Sequence, residues 1–122
     1  MLGIKSADDV AKHWAQGALF ENMMVADCIK DFYNKGQRPP ISFWRDSRGL
    51  EIDLLIEESS GIKAIEIKSG TTINADFFSN LEKFEKLAGS PLSKYILYGG
   101  DSATTRRETK VLPWFETAKL AE

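Results

Sequence analysis

Hydrophobic and polar positions alternate along the chain in patterns that predict helices and strands in a definite order. From residue 18 to about residue 33, apolar residues recur at spacings of three and four, the period of an amphipathic helix. Met23, Met24 and Cys28 fall on its apolar side and are predicted to pack in a core. Gly36 should end this helix, because prolines follow shortly after it and cannot continue a helix.

A shorter helix is predicted ahead of this one. Ser6 is followed by Ala7, Asp8 and Asp9, and a serine before acidic residues is typical of a helix start. Glycine is a poor helix former, so Gly17 is expected to separate the two helices.

Short apolar runs predict five strands and a second amphipathic helix. The strands are expected at residues 41–46, 50–57, 62–68, 94–99 and 109–114. The helix should start at Asn74 or Asp76 and end at Gly89, with an apolar stripe of Phe77, Leu81, Phe84 and either Leu87 or Ala88. The run at 94–99 is typical of a buried strand, whereas Pro113 suits 109–114 to a final edge strand. Residues 115–122 are expected to add a last helical turn or two.

This order predicts an α/β fold (α+β with a mixed sheet) in which helices cover the faces of the sheet. The chain has 122 residues, with no internal repeat or linker, so residues 1–122 are interpreted as a single domain.

The hairpin between the second and third strands determines where the acidic residues meet. A two-residue loop at Ser59 and Ser60 pairs positions whose numbers sum to 119. The predicted neighbours are Asp53 with Glu66, Glu51 with Lys68, Leu54 with Ile65 and Ile52 with Ile67. This register keeps the apolar residues on one face, which is what fixes a register.

Two directly opposed carboxylates destabilise a sheet unless a cation lies between them. A divalent metal held by Asp53 and Glu66 would compensate best, and oxygen ligands favour Mg²⁺ or Mn²⁺ over zinc. Lys68 could orient a water or stabilise developing negative charge. The alternative is an ordinary cross-strand salt bridge between Glu51 and Lys68, with Asp53 simply solvated.

A third acid, Glu21, lies on the predicted helix in line with Cys28 and on or beside the face that should pack against the sheet. A buried carboxylate needs a partner, so Glu21 is predicted to join the same site.

Overall charge and composition place limits on the partners. The net charge is −2, so any nucleic acid must bind at a local basic patch. Trp44, Arg45 and Arg48 are candidates, with Arg106 and Arg107 as further phosphate contacts. A single cysteine excludes an internal disulfide, and no apolar run is long enough to span a membrane. A cytoplasmic location is the default expectation.

These residues resemble the PD-(D/E)XK nuclease superfamily, which is restriction-endonuclease-like with an αβββαβ core. The resemblance rests on Glu21 in a helix, Asp53 on the second strand and the Glu66-x-Lys68 pair on the third, although Ile52 replaces the proline of the motif. It implies catalytic roles for all four residues, with metal ligation by Asp53, Glu66 and the Ile67 carbonyl.

A closer resemblance, over nearly the whole chain, is to the uncharacterised C-terminal domain attached to AAA-type ATPases of bacteria and archaea. It rests on the segments GALFENMMVADCI, FWRDSRGLEIDLLIE, AIEIKSG, DFFSNLEKF, YILYGGD and VLPW. The sequence contains no phosphate-binding Gly-rich loop with Lys-Ser/Thr. We therefore expect this chain to be a C-terminal fragment whose N-terminal ATPase module is absent.

Two functions follow as expectations. The first is a Mg²⁺-dependent (or Mn²⁺-dependent) phosphodiesterase acting on nucleic acid, DNA in preference to RNA. The alternative is a non-catalytic interaction or regulatory domain of the ATPase, with an unused nuclease site and self-association through an exposed apolar patch.

Overall fold

A computed structural model describes the backbone of residues 7–122 and the side chains of residues 15–122. It contains a six-stranded mixed sheet with one long helix on one face and a shorter helix on the other. The elements are α1 (Ala7–Asn34), β1 (Ile41–Arg45), β2 (Glu51–Glu58), β3 (Gly61–Lys68), α2 (Asp76–Ala88), β4 (Leu92–Tyr98), β5 (Thr104–Arg106), β6 (Thr109–Pro113) and a C-terminal 3₁₀ helix (Trp114–Ala121). This confirms the predicted fold class.

The strands lie in the order β1-β2-β3-β4-β6-β5. The pairs β1–β2, β2–β3 and β5–β6 are antiparallel, because short turns connect them. The pairs β3–β4 and β4–β6 are parallel, and α2 makes the crossover from β3 to β4. None of the helices in the described ranges is long and apolar enough to cross a membrane.

Both faces of the sheet are buried under apolar side chains. The core on the α1 side is built from Met24, Cys28, Phe32, Leu54, Ile56, Ile65, Ile67, Tyr95, Leu97, Leu112, Leu120 and Ala121. The core on the α2 side is built from Ile52, Leu55, Ala64, Phe78, Leu81, Phe84, Ile96, Tyr98 and Val111. The central strands therefore carry apolar residues on both faces, as strands covered on two sides must.

The helix α1 runs through Gly17 without interruption, so the predicted break at that residue is wrong. A glycine inside a helix costs only about 1 kcal/mol relative to alanine. A 28-residue helix that packs against the sheet tolerates this cost. The predicted helix start at Ser6 lies outside the described residues.

The buried stripe of α1 consists of Met24, Cys28 and Phe32, at intervals of four residues. The prediction for Met24 and Cys28 is confirmed. Met23 is 51% exposed, contrary to prediction, because neighbouring helical residues point about 100° apart.

The helix α2 begins and ends close to the predicted positions. The Asn74 side chain accepts a hydrogen bond from the N–H of Asp76, and Gly89 takes the left-handed conformation that ends the helix. Phe78 rather than Phe77 is fully buried, and Leu87 is 54% exposed. Leu81 and Phe84 are buried as predicted, and Ala88 packs against the core at the last turn, so the stripe differs from the predicted one mainly at Phe78.

The prediction that residues 109–114 form an edge strand is wrong, because β5 pairs with β6 and takes the edge. The turn between these strands consists of Arg107 and Glu108, both with positive φ (51° and 61°). This backbone suits a two-residue hairpin but normally selects glycine or asparagine, so the turn has no sequence signal. Pro113 is the last residue of β6, where it is tolerated.

Candidate functional site

The register between β2 and β3 is the predicted one over most of the hairpin. Leu54 lies opposite Ile65 and Glu58 opposite Gly61, so paired numbers sum to 119 as expected. The backbone pairing stops at Leu54 and Ile65, one residue before Asp53 would pair with Glu66.

The register between β1 and β2 explains why the pairing stops. The partners are Ile41 with Ile56, Ser42 with Leu55, Trp44 with Ile52, and Arg45 with Glu51. Phe43 is thus the single β1 residue opposite the two β2 residues Asp53 and Leu54. This is a β-bulge, which disrupts the local pairing and re-aims the side chain of the bulged residue.

The bulge changes the face to which the first residues of β2 point. Ile52 packs in the core on the α2 side, whereas Ile67 packs in the core on the α1 side, so their predicted contact is wrong. Glu51 forms a salt bridge with Arg45 across the β1–β2 pair, with 3.0 Å between Nε and Oε1. The predicted Glu51–Lys68 pairing, which was also the alternative explanation of these charges, is therefore replaced by the Glu51–Arg45 pair.

Asp53 and Glu66 come together through hydrogen bonds that take the place of the backbone ladder. The N–H of Asp53 donates to Oε1 of Glu66 (3.3 Å), and the N–H of Ile67 donates to Oδ2 of Asp53 (2.8 Å). Each strand therefore binds the acidic side chain of the other. Each of these bonds uses one carboxylate oxygen, so the second oxygen of each acid is not engaged by it.

The ammonium of Lys68 lies beside this pair of acids. Its Nζ is 3.8 Å from Oε2 of Glu66 and 5.5 Å from the centroid of the Phe77 ring. Glu66 is only 2% exposed, whereas Lys68 is partly exposed. The side chain of Lys68 therefore lies between the buried carboxylate of Glu66 and the protein surface.

The charge on Glu66 is unfavourable in this environment. Burial raises the pKa of its carboxyl to about 7, and the neighbouring Asp53 charge acts in the same direction. Lys68, the N–H of Asp53 and the Asn80 side chain oppose the increase but do not cancel it. Loss of hydration therefore dominates, and a further cation would relieve it.

The carboxyls of Asp53 and Glu21 also have raised pKa values. Burial raises the pKa of Asp53, against the hydrogen bond from Ile67 and the charge of Lys68. Burial, and then the charge of Asp53, raises the pKa of Glu21. Both acids line a cleft of about 430 Å³ at the β1–β2 end of the sheet. The four acidic and basic residues predicted from the sequence are therefore neighbours in the fold.

The predicted metal site would have two acidic ligands rather than three. Within the described part of the chain, no group of three or more His, Cys, Asp or Glu residues could hold a metal ion. Glu21 is therefore placed as a neighbour of the pair and not as a third direct ligand. Two carboxylates suit Mg²⁺, which usually binds to one or two of them and keeps several waters. Ligation by the Ile67 carbonyl stays a prediction.

The residues predicted to contact nucleic acid have different surroundings. Trp44 packs edge-on against Phe84, with 5.4 Å between ring centroids, and Arg45 is paired with Glu51. Arg48 lines a second cleft of about 410 Å³ between the β1–β2 turn and α2. Of the two arginines, Arg48 is the one that forms no salt bridge with another described residue.

The other two candidate arginines lie on the far edge of the sheet. Arg106 and Arg107 each lie 5.3 Å from the Phe78 ring centroid, and Arg107 forms a salt bridge with Glu82 (2.6 Å). These contacts give both residues a packing role against α2.

Asn80 is the site residue that sequence reasoning missed. It lies on α2, turns toward Glu66 and also lines the second cleft. Its place one turn from Phe77, on the polar side of an amphipathic helix, is the only sequence signal it carries.

A model for the family described as "Domain of unknown function (DUF4143)" matches residues 16–116. A search of curated proteins found no match, and neither did a search of solved structures. The family match runs from residue 16 of α1 to the third residue of the 3₁₀ helix, and hence covers every residue of the candidate site. None of these comparisons bears on a resemblance to the PD-(D/E)XK superfamily or on attachment to an ATPase.

Proposed function

The chain belongs to the DUF4143 family of domains of unknown function, and we propose that it is a Mg²⁺-dependent, nuclease-like phosphodiesterase of the PD-(D/E)XK type. One observation carries the proposal: a β-bulge breaks the sheet at the point where Asp53 and Glu66 bind each other's strands, with Lys68 alongside. β-Bulges are over-represented next to active sites because they aim a side chain out of the regular pleat.

Asp53 and Glu66 are the residues that would hold the metal. Glu66 is buried beside a second carboxylate, and its only salt bridge among residues 15–122 is the 3.8 Å contact with Lys68. Such a pair favours a small divalent cation with oxygen ligands. Bound Mg²⁺ would polarise a phosphoryl oxygen and supply positive charge to the transition state.

Lys68 would stabilise the negative charge that develops on the phosphate. The salt bridge with Glu66 and the ring of Phe77 hold its ammonium at the edge of the site. An ammonium in a fixed position contributes more than a mobile one, because it is not reorganised during the reaction. Glu21 lies close enough to Asp53 and Lys68 to interact with both charges, and it would orient a water in the cleft.

The experiment is a cleavage assay of the protein on plasmid DNA, linear duplex, single-stranded DNA and RNA, with Mg²⁺, Mn²⁺ or EDTA. We expect metal-dependent cleavage, which Asp53→Asn and Lys68→Met should each reduce by at least about a hundredfold. Glu57→Gln is the matched control, since Glu57 is an exposed acid on the same strand that does not line the cleft. Cleavage that persists in Asp53→Asn would refute the proposal.

A second function is favoured by exposed apolar side chains. Leu19 and Met23, one turn apart on α1, are 62% and 51% exposed, and Trp114 and Phe115 are 45% and 56% exposed. A non-catalytic interaction or regulatory domain, docked on an ATPase module or on another copy of itself, would use such residues. Light scattering over a range of concentrations, comparing the wild type with Leu19→Ser/Met23→Ser, tests for self-association. A monomer at all concentrations, together with metal-dependent cleavage, would exclude this function.

A further inference from the structure

The charges on α2 are divided between two sides of the helix. Glu82 and Glu85, three residues apart, form salt bridges with Arg107 and Lys94, at 2.6 and 2.9 Å. These partners come from the β5–β6 turn and from β4, on the side of α2 away from the β1–β2 turn. Each of these two acids is therefore paired with a cation that comes from outside α2.

The other side of α2 carries exposed lysines. Lys83 and Lys86 lie three residues apart, the first of them one turn beyond Asn80, and line the second cleft with Arg48 of the β1–β2 turn. Lys86 also borders the side of α2 that carries Glu82 and Glu85. Within residues 15–122, no salt bridge engages these three basic residues. They therefore form a local positive surface on a molecule whose net charge is −2.

Among the described residues, Asp46 is the only acid that lines this cleft, and its side chain binds the backbone of the turn. Oδ1 of Asp46 accepts hydrogen bonds from the N–H groups of Arg48 and Leu50, each at 3.0 Å. Gly49, with φ of 88°, completes the turn. Hydrogen bonds within the turn therefore fix its conformation, in which Arg48 lies across the cleft from the lysines of α2.

Asn80 connects this positive surface to the candidate catalytic residues. It lines the cleft and faces Glu66, the buried acid of the site. A phosphate group bound by the cations and a phosphate bound at Glu66 could therefore belong to the same nucleic acid strand. A row of phosphates is what a nucleic acid backbone presents.

We infer that the cleft formed by Arg48, Lys83 and Lys86 binds the phosphate backbone of DNA next to the scissile phosphate. The inference deepens the proposed function and rests on it for the position of the scissile bond. DNA is assigned as the occupant because the three cations complement its row of phosphates on a molecule that is otherwise acidic. RNA, which presents the same phosphates, is the alternative that the test must exclude.

The test measures DNA binding without cleavage. Fluorescence anisotropy of a labelled duplex is recorded for Asp53→Asn in EDTA at several KCl concentrations. Addition of Lys83→Gln/Lys86→Gln should lower the magnitude of the slope of log Kd against log salt by about 2, because each lost phosphate contact removes nearly one counterion. Glutamine retains helix propensity, so the thermal melt of the variant should match that of its parent.

Lys30→Gln/Arg38→Gln is the matched control. It makes the same change in net charge at exposed residues of α1 and the loop after it, on the opposite face of the sheet. An equal loss of slope in both double variants would show binding by overall charge and would overturn the inference. So would an Asp53→Asn protein that binds no DNA at low salt.

Cleavage is measured separately, so that the two proposals can fail separately. Cleft-dependent binding without cleavage by the wild type would refute the phosphodiesterase and retain the binding surface. Cleavage whose salt dependence is unchanged in Lys83→Gln/Lys86→Gln would refute the binding surface and retain the phosphodiesterase. A duplex RNA of the same sequence forms a second arm, and cleft-dependent binding of RNA in the absence of DNA binding would overturn the assignment of DNA.

Discussion

Asp53 and Glu66 replace hydrogen bonds that a regular β2–β3 ladder would make between backbone groups. Because carboxylates take the place of backbone acceptors, two acidic side chains lie inside the sheet, where they lose hydration. That cost is visible in the raised pKa values of Asp53, Glu66 and their neighbour Glu21. The site is therefore expected to oppose folding when all its acids are ionised and no cation is bound.

The first prediction concerns the pH dependence of stability. The pKa of Glu66 is about 7 in the folded state against an ordinary 4.5, so the folded protein binds a proton more tightly than the unfolded chain. The free energy of unfolding should then fall as pH rises from about 4.5 to about 7, and level off above it, losing up to about 3 kcal/mol from this group. Urea unfolding in EDTA across this range measures it.

Glu66→Gln removes the titrating group and keeps the shape of the side chain. We expect the free energy of unfolding of this variant at pH 8 to exceed that of the wild type. Between pH 5 and 7, that free energy should decline less in the variant than in the wild type. Glu57→Gln, an exposed acid on the same hairpin, should leave the decline unchanged. An equal decline in the wild type and Glu66→Gln would contradict the burial of an ionising Glu66.

The second prediction separates the structural role of Asp53 from its chemical role. Its Oδ2 accepts the Ile67 N–H at 2.8 Å, so Asp53→Ala leaves that donor without its partner. We expect a loss of about 1–3 kcal/mol in the free energy of unfolding in Asp53→Ala. Asp53→Asn keeps an acceptor oxygen and should lose less, although its activity should be abolished. Denaturant unfolding of both variants, with a cleavage assay alongside, distinguishes the roles.

At this scale the sequence predicted that Asp53 and Glu66 are neighbours, but through a partly wrong geometry. Asp53 and Glu66 were expected together because the Leu54–Ile65 register places them next in line, and that register is confirmed. The bulge was missed, because an extra residue in β2 is visible only against its partner β1. Glu51 and Ile52 were misplaced for that reason alone.

Elements form where their apolar pattern is long, and α1 shows that a strong pattern overrides a single poor residue. Gly17 lies within this helix, and apart from its chain neighbours and the adjacent helix backbone no atom lies within 4 Å of the position that a Cβ would take there. The third prediction is that Gly17→Ala raises the free energy of unfolding by about 0.5–1 kcal/mol, because alanine restricts the unfolded chain and favours the helix.

Gly89→Ala is the opposing control, since φ of 63° at the end of α2 strains any residue with a Cβ. Its free energy of unfolding should fall while that of Gly17→Ala rises, both measured by denaturant titration. A loss of stability in Gly17→Ala would show that α1 is kinked or broken at Gly17, as the sequence pattern first indicated.

Short elements with polar residues were beyond prediction from the sequence. The strand β5 has three exposed residues, Thr104 to Arg106, and exists because β6 offers an unpaired edge. In the turn that follows it, Arg107 and Glu108 have positive φ. Neither is a residue type that favours positive φ, so the sequence does not indicate this turn. The long strands β2 to β4 were recovered because burial on both faces leaves near-continuous apolar runs.

Across the whole molecule, the C-terminal 3₁₀ helix joins the sheet to the helix that carries Glu21. Leu120 is fully buried in the core on the α1 side, and Lys63 of β3 donates to its carbonyl (2.9 Å). Thr117 donates to Asp31 of α1 (2.9 Å). Loss of this packing would loosen α1 and with it the position of one acid of the site.

The fourth prediction therefore concerns Leu120→Ala, which should lose about 2–5 kcal/mol in the free energy of unfolding because it leaves a cavity in a closed core. Phe115→Ala, on the same 3₁₀ helix but 56% exposed, should lose about 0.5 kcal/mol or less. Thiol labelling of Cys28 gives a second measurement: burial raises its pKa to about 12, so it should react slowly in the wild type and faster in Leu120→Ala. Equal stability and equal labelling in the two variants would mean that the 3₁₀ helix is not docked on α1, and that the position of Glu21 does not depend on it.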